Sequence, residues 1–297
     1  MSHLEAGNLF NVKDMVFVVT GGGTGIGAMF ARALDINGAA KVYIIGRRLD
    51  KLQEVAQSAT NQTIIPIQGD ITSKESLTTI AERITSEVSF VNAVIANSGA
   101  AGPRLDALPK SPPPSLADLH AFLWATPPAE FNETFFVNTT AAFYTLLAFL
   151  PLLDAGNKDA RSPTVRDGGS VKSQFVATSS IGGFSRRPGM GYAYAASKAA
   201  IIHLVKQMST CLADYHIRCN SFCPGIYPSD MSQGMIGKDD RTAMGSVSGD
   251  IVPLTRIGND EDAAGALLFL CSRAGAYING NILISDGGRM SIVPATY

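Results

Sequence analysis

From Met15 onward, short apolar and β-branched runs alternate with longer stretches whose apolar positions recur at helical spacing. That alternation is the pattern of parallel strands joined by crossover helices. It predicts seven strands, at residues 15–20, 41–45, 63–67, 91–96, 174–178, 218–222 and 282–285. The first of them, MVFVVT, is apolar at five consecutive positions rather than at every second one. A strand of that kind needs cover on both faces, so the predicted fold is α/β, a doubly wound parallel sheet with helices on each side. A helix is expected over residues 26–37, stopping near Gly38, and another opens on Thr72 and Glu75, which have capping-box spacing.

Two stretches break the rhythm. Residues 101–130 hold seven of the fifteen prolines, Pro112, Pro113 and Pro114 among them, and this density argues against regular helix or central strand. Residues 154–170 are polar and contain glycine. Both read as surface insertions, and a third irregular stretch, 227–252, reads as a loop covering a site. With no internal repeat, the whole of 1–297 is expected to form a single domain. The most apolar segment, 141–153, is shorter than the roughly 20 residues of a membrane span and meets Pro151 near its end, so it reads as a buried or interface helix.

Composition narrows the functions. The chain has 297 residues, 46% apolar and 16% charged, enough to bury a large core without disulfides or metals. Its 24 basic and 25 acidic residues leave a net charge of -1 and form no one-signed run, which argues against nucleic acid or an acidic membrane as partner and for a small molecule. Cys211, Cys219, Cys223 and Cys271 lack CxxC spacing and are expected to be reduced thiols without metal. Residues 1–14 lack a basic start followed by an apolar stretch, so no secretion signal is expected and the cytoplasm is the predicted location.

The segment TGGGTGIG, Thr20 to Gly27, lies between the first strand and the first helix. Glycines there permit a tight turn and let backbone N–H groups approach a pyrophosphate at the helix N-terminus. Gly21, Gly25 and Gly27 give GxxxGxG spacing, with Gly23, Thr24 and Ile26 between them. Where an acidic residue would hold ribose hydroxyls, some twenty residues on, the chain reads Gly46, Arg47, Arg48. An arginine fork can grip a 2'-phosphate that a carboxylate would repel, which favours NADP(H), with Arg47 the preferred candidate.

Tyr194 and Lys198 stand four apart in YAASK, on one face of an alanine-rich helix. A phenol with an ordinary pKa near 10 is a poor base, but an adjacent ammonium favours its phenolate. Ser179 and Ser180 follow a strand's C-terminal end, where open α/β sheets bind ligands. The glycine turn, the YxxxK pair and the serine fourteen residues before it, in this order, resemble the short-chain dehydrogenase/reductase family over nearly the whole chain. The resemblance implies a Rossmann-type fold and selects Ser180 over Ser179.

By the same resemblance, Asn138 in FFVNTT holds a water linked to the lysine. Asp70 receives the adenine amino group with Ile71 packing nearby, a helix-capping role for Asp70 being the alternative. Asn97, Ser98 and Gly99 pass close to the cofactor, Pro224, Gly225 and Ile226 shape the nicotinamide pocket, and Ser229 stands where threonine is usual. Asp230, Met231 and the closing Asp286, Gly287 and Gly288 continue the match. Departures from the family pattern are Thr24, where some NADP-using relatives carry a basic residue, and Ser98 in place of alanine.

The resemblance implies reduction of a ketone by NADPH, or the reverse oxidation, with Tyr194 as acid/base, Ser180 stabilising the charged oxygen and Lys198 fixing the ribose. Tyr227, Met231, Met235, Ile236 and Met244 suggest an adaptable apolar cover over a lipophilic substrate, or loop packing alone; Gly183, Phe184 and Met190 are further candidates for the pocket. Similarity extends to 3-oxoacyl reductases and fungal ketoreductases of secondary metabolism, and implies a homodimer or homotetramer. A serine hydrolase is disfavoured because Thr178 stands where its elbow needs glycine and no histidine among His3, His120, His203 and His216 is placed to serve. The alternative is a non-redox NADP-binding scaffold or sensor, or a non-redox catalyst, on the same fold.

Overall fold

Seven parallel strands form one sheet in the order β3-β2-β1-β4-β5-β6-β7. They are β1 (Val16–Thr20), β2 (Lys41–Gly46), β3 (Ile64–Gln68), β4 (Ala93–Ala96), β5 (Gln174–Thr178), β6 (Arg218–Pro224) and β7 (Ile282–Ser285). The computed structural model describes residues 2–105, 108, 112–158, 170–187, 189–233 and 240–296. Among them the helices are α1 (Ala6–Leu9), α2 (Gly25–Ile36), α3 (Leu49–Gln57), α4 (Lys74–Glu87), α5 (Leu116–Trp124), α6 (Pro128–Phe135), α7 (Ala141–Lys158), α8 (Tyr192–Cys211) and α9 (Asp260–Cys271). This is a single Rossmann-type domain.

Alternate residues of each strand feed two cores. Val16 and Val18 face a cluster with Leu77 and Ile84 of α4, Leu146 and Phe149 of α7, and Ile201 and Val205 of α8. Phe17 and Val19 face Phe30 and Leu34 of α2, Leu52 of α3, and Leu267 and Leu270 of α9. With every residue of β1, β4, β5 and β6 buried, the apolar runs of the sequence are explained by packing on both faces. Strand order reverses between β1 and β4, which run side by side from Phe17–Ala93 to Thr20–Ala96. In open α/β sheets the crevice beyond the carboxyl ends at such a switch point is where ligands bind.

Four local expectations need correction. Helix α5 lies inside the proline-rich 101–130 stretch, because no proline falls between Pro114 and Pro127 and Ser115 caps the helix by accepting from the Asp118 N–H at 3.1 Å; α6 also begins there, with Pro128 in its first turn, where proline is tolerated. Residues 154–158 belong to α7, which runs through Pro151, and residues 159–169 lie outside the described part. Helix α4 is capped by Ser73, whose Oγ accepts from Ser76 N at 3.0 Å, whereas the Thr72 hydroxyl donates to Asp70. Lastly, α6 and α7 are joined by a π-helical turn, Phe136–Thr140, into one helical run over Pro128–Lys158, 31 residues long and apolar enough to cross a membrane by length and composition alone. Its buried side is part of the domain core, and Leu152 O accepts from Val91 N at 3.0 Å next to β4.

Candidate active site

A cleft of about 1110 Å³ opens at the carboxyl ends of the strands. Its near end is built by the turn after β1. Gly21 and Gly25 adopt positive φ, +66° and +53°. A Cβ on Gly25 would stand 2.8 Å from the Ser229 Cβ, and one on Gly27 would stand 2.2 Å from the Gly21 carbonyl oxygen, so the turn closes only with glycine at these two places. Thr24, at the N-cap of α2, gives no side-chain cap to the first turn; its Oγ1 accepts from Arg48 at 3.4 Å. Uncapped backbone N–H groups at a helix start facing a cleft are suited to an anionic diphosphate.

Thr20 locks this turn to the next strand. Its Oγ1 accepts from Asn97 N at 3.1 Å and Ser98 N at 3.2 Å, which brings the 97–99 loop beside the glycines. All the cofactor candidates line the cleft except Gly27, which lies behind the turn against Gly21 and shapes it. Beside this turn Arg47 faces the cleft, and Arg48 pairs with Asp230 at 2.9 Å, both side chains of that pair more than half exposed. The carboxylate of Asp70 accepts from Thr72 Oγ1 at 2.7 Å and Thr72 N at 2.9 Å. Those bonds, the hydroxyl first, and the charge of Arg47 hold it below the ordinary carboxylate range. The capping alternative thus describes one of its oxygens, though the cap is of the turn before α4 rather than of the helix itself.

The chemical groups gather deeper in the cleft. Helix α8 turns Ala193, Tyr194, Ser197, Lys198, Ile201 and Val205 inward, and the four-residue spacing puts Tyr194 and Lys198 on one face. Ser180 ends the segment after β5 and caps the short turn Ile181–Gly183, its Oγ accepting from Gly182 N at 3.0 Å. The Tyr194 ring and Ser180 Oγ both abut Gly182, where a Cβ would stand 3.3 Å from each, which puts the serine hydroxyl beside the tyrosine. The Lys198 ammonium lies 5.7 Å from the centre of the Tyr194 ring and donates to Thr178 O at 2.8 Å.

Burial sets the charge state of this pair. Desolvation raises the Tyr194 phenol above its ordinary pKa, and the Ser180 hydrogen bond opposes that in part. Desolvation brings the Lys198 ammonium down to about 8, the nearby Cys223 thiol countering weakly. Burial therefore favours the neutral phenol and loosens the ammonium's proton, while leaving Lys198 mainly charged at neutral pH.

Asn138 sits behind the pair, in the π-helical turn between α6 and α7. Its Oδ1 accepts from Ala100 N at 2.7 Å, and its Nδ2 donates to Ala100 O at 2.9 Å and Ser197 Oγ at 3.0 Å. These bonds occupy the side chain in tying the loop after β4 to α8, and Asn138 does not reach the cleft wall. Gly99 separates it from the lysine: a Cβ there would lie 3.2 Å from Asn138 Oδ1 and 3.6 Å from Lys198 Nζ.

The substrate candidates divide. Ser180, Met190, Tyr227 and Met231 line the cleft. Tyr227 is also a core residue, with its ring edge-on to Phe222 and its phenol 2.6 Å from Ser285 Oγ. Gly183 and Phe184 do not line it: Gly183 packs against the backbone of Lys198 and Ala199, and Phe184 O accepts from Thr296 N at 2.9 Å. Met244 is 69% exposed and off the wall, and Met235 and Ile236 lie outside the described residues. Sequence reasoning missed Ser185, Arg187, Arg289, Met290 and Val293, which come together on the wall from two distant segments. Their only sequence signal is proximity to motifs already recognised, Ser180 on one side and Asp286, Gly287, Gly288 on the other.

Comparison with known proteins gives concordant matches. The model of a family described as "Enoyl-(Acyl carrier protein) reductase" matches residues 21–290. The chain is 46% identical over 296 residues, 99% of its length and 97% of the relative's, to the short-chain dehydrogenase/reductase PhomF of Diaporthe leptostromiformis. It is 42% identical to the short-chain dehydrogenase/reductase SAT3 of Stachybotrys chartarum, over 90% of this chain and all of that one. Among solved structures, the RhlG/NADP active-site complex of Pseudomonas aeruginosa superposes with a TM-score of 0.74 at 25% identity, covering 94% of this chain and 98% of that one.

Proposed function

The chain belongs to the short-chain dehydrogenase/reductase family, and from that premise we propose that it is an NADP(H)-dependent oxidoreductase that reduces a lipophilic ketone, or oxidises the corresponding secondary alcohol. The observation that carries this reading is the gathering of the Ser180 hydroxyl, the Tyr194 phenol and the Lys198 ammonium on the wall of the cleft that the glycine turn opens. The residues present fit a dinucleotide: a turn too tight for any Cβ at Gly25 and Gly27, an uncapped helix start, and a cationic rim at Arg47 and Arg48. Asn97, Ser98 and Gly99 on one side, and Pro224, Gly225, Ile226 and Ser229 on the other, would flank it.

When bound, the nicotinamide supplies or accepts the hydride. In the reductive direction Tyr194 gives its proton to the carbonyl oxygen, which gains charge as its carbon is reduced. Ser180 stabilises that charge by donating its hydroxyl. Lys198 holds the ribose and keeps positive charge beside the phenol, and Asn138 positions α8 through Ser197. The neutral phenol favoured by burial is the form reduction requires.

NADP(H) rather than NAD(H) follows from the arginines at the rim, and the likeness to RhlG, whose active-site complex is with NADP, supports it. Identity to a fungal relative supports a place among fungal ketoreductases. Exposure of Phe136, Tyr144 and Leu147 on the long helix supports assembly into a homo-oligomer. The test is to incubate the purified protein with NADPH and a panel of aliphatic and aryl ketones, reading NADPH absorbance. Consumption with at least one ketone is expected; tight NADPH binding without consumption across the panel would favour the sensor or scaffold alternative.

A further inference from the structure

Part of the wall of the cleft that Tyr194 lines is built from none of the cofactor candidates. Two segments are stitched together to make it: Arg186 N donates to Pro294 O at 2.8 Å, Thr296 N donates to Phe184 O at 2.9 Å, and Ser185 bridges to Ala295 antiparallel. The seam brings Arg187 and Arg289 onto one surface, together with Met190, Met290 and Val293. Arg289 is partly buried and donates from Nη1 to Ile251 O at 2.5 Å. Among the described residues the Arg187 guanidinium has no hydrogen-bond or ion-pair partner.

The exposed Arg187 guanidinium and the partly buried Arg289 guanidinium repel each other, and a counter-charge between them is favoured. Burial, and after it the charge of Arg187, lowers the pKa of Arg289, with Asp286 opposing. Asp286 makes no salt bridge with either arginine; its two oxygens accept from Gly288 N at 2.9 Å and Met290 N at 2.7 Å, which turns the carboxylate toward the main chain. Glu133 and Asp250 also line the cleft, both exposed, and neither forms a salt bridge with Arg187 or Arg289. The charge on this wall is thus left for a ligand.

We propose that Arg187 and Arg289 form an anion pocket at the substrate end of the cleft, and that the ketone carries a carboxylate at the end remote from its carbonyl. Guanidinium forks match a carboxylate in geometry as well as charge. The thioether and valine side chains of Met190, Met290 and Val293 supply apolar surface for the hydrocarbon between carboxylate and carbonyl. The inference rests on Tyr194 marking the place of the carbonyl, as argued above.

The test measures binding and turnover separately. The protein saturated with NADP+ is titrated calorimetrically with oxoalkanoates of increasing chain length, each beside its methyl ester. At one chain length the acid is expected to bind about tenfold or more tighter than the ester, and Arg187→Gln and Arg289→Gln each to draw that ratio toward one. Since Arg187 is exposed, its variant keeps the test sound even if Arg289→Gln loosens the loop at Ile251. Acid and ester binding alike at every length, or neither binding, would overturn the pocket, and displacement by inorganic phosphate far more than by acetate would overturn its assignment to carboxylate. An acid that binds with the expected preference while NADPH is never consumed would overturn the redox reading and leave the pocket standing.

Discussion

At the residue scale, the two adjacent arginines at the cofactor rim have separate commitments. Arg48 is engaged with Asp230 and Thr24, while Arg47 faces the cleft and acts on Asp70 through its charge alone. Arg47→Ala is therefore expected to raise KM for NADPH far more than KM for NADH in steady-state assays, and equal changes would exclude Arg47 as the phosphate holder. Lys198 gives a pH signature. Its pKa falls from 10.5 to about 8 on folding, so between those values the unfolded chain carries a proton that the folded chain lacks. Through this group the unfolding free energy rises with pH across that window, by up to about 1.4 kcal/mol per pH unit. Because the buried cysteines, whose pKa values are raised, act in the opposite sense near this window, the signature is a difference: the unfolding free energy of the wild type minus that of Lys198→Met, from urea titrations at successive pH values, should rise with pH across it. Tyr194 and Lys198 could be singled out in the sequence by their four-residue spacing on one helix, and Ser180 over Ser179 by the family resemblance. Arg187 and Arg289 could not, since only the seam between loop 184–186 and the C-terminal segment unites them.

At the scale of elements, the glycine turn and α2 act as one unit. A Cβ at Gly27 meets a main-chain oxygen that cannot move without opening the turn. Gly27→Ala is accordingly expected to abolish NADPH binding in fluorescence titrations and to lower the melting temperature, whereas retained binding would show the turn to be more pliant than its geometry implies. The cap of α4 has a smaller effect. Ser73→Ala removes one acceptor for Ser76 N and should cost about 1 kcal/mol in urea denaturation with cofactor binding intact. Strands were read from sequence within a residue or two: β1 and β4 are buried throughout and leave unbroken apolar runs, and the other strands keep apolar or β-branched runs between turn residues. Helix α5 escaped that reading, for none of its described side chains is buried and the prolines before it hide the cap at Ser115.

At the scale of the whole molecule, the sheet order places the end of β1, the loop after β4 and the segment after β5 at one edge, so that residues from four parts of the chain share one cleft. Buried Arg218 keeps the far half of that sheet in register, donating to the carbonyls of Lys172, Leu270, Gly275 and Ile278 at 3.0–3.4 Å. Order in the sequence could suggest such a convergence, but only the sheet topology fixes the distances. The central claim is that the phenol of Tyr194 moves the proton while the glycine turn and the arginines hold the coenzyme. Its most direct test compares the wild-type protein with Tyr194→Phe for NADPH binding and for NADPH consumption with a ketone that the wild type reduces. The account predicts unchanged binding and a loss of turnover of roughly a hundredfold or more; turnover near the wild-type rate in the phenylalanine variant would contradict it.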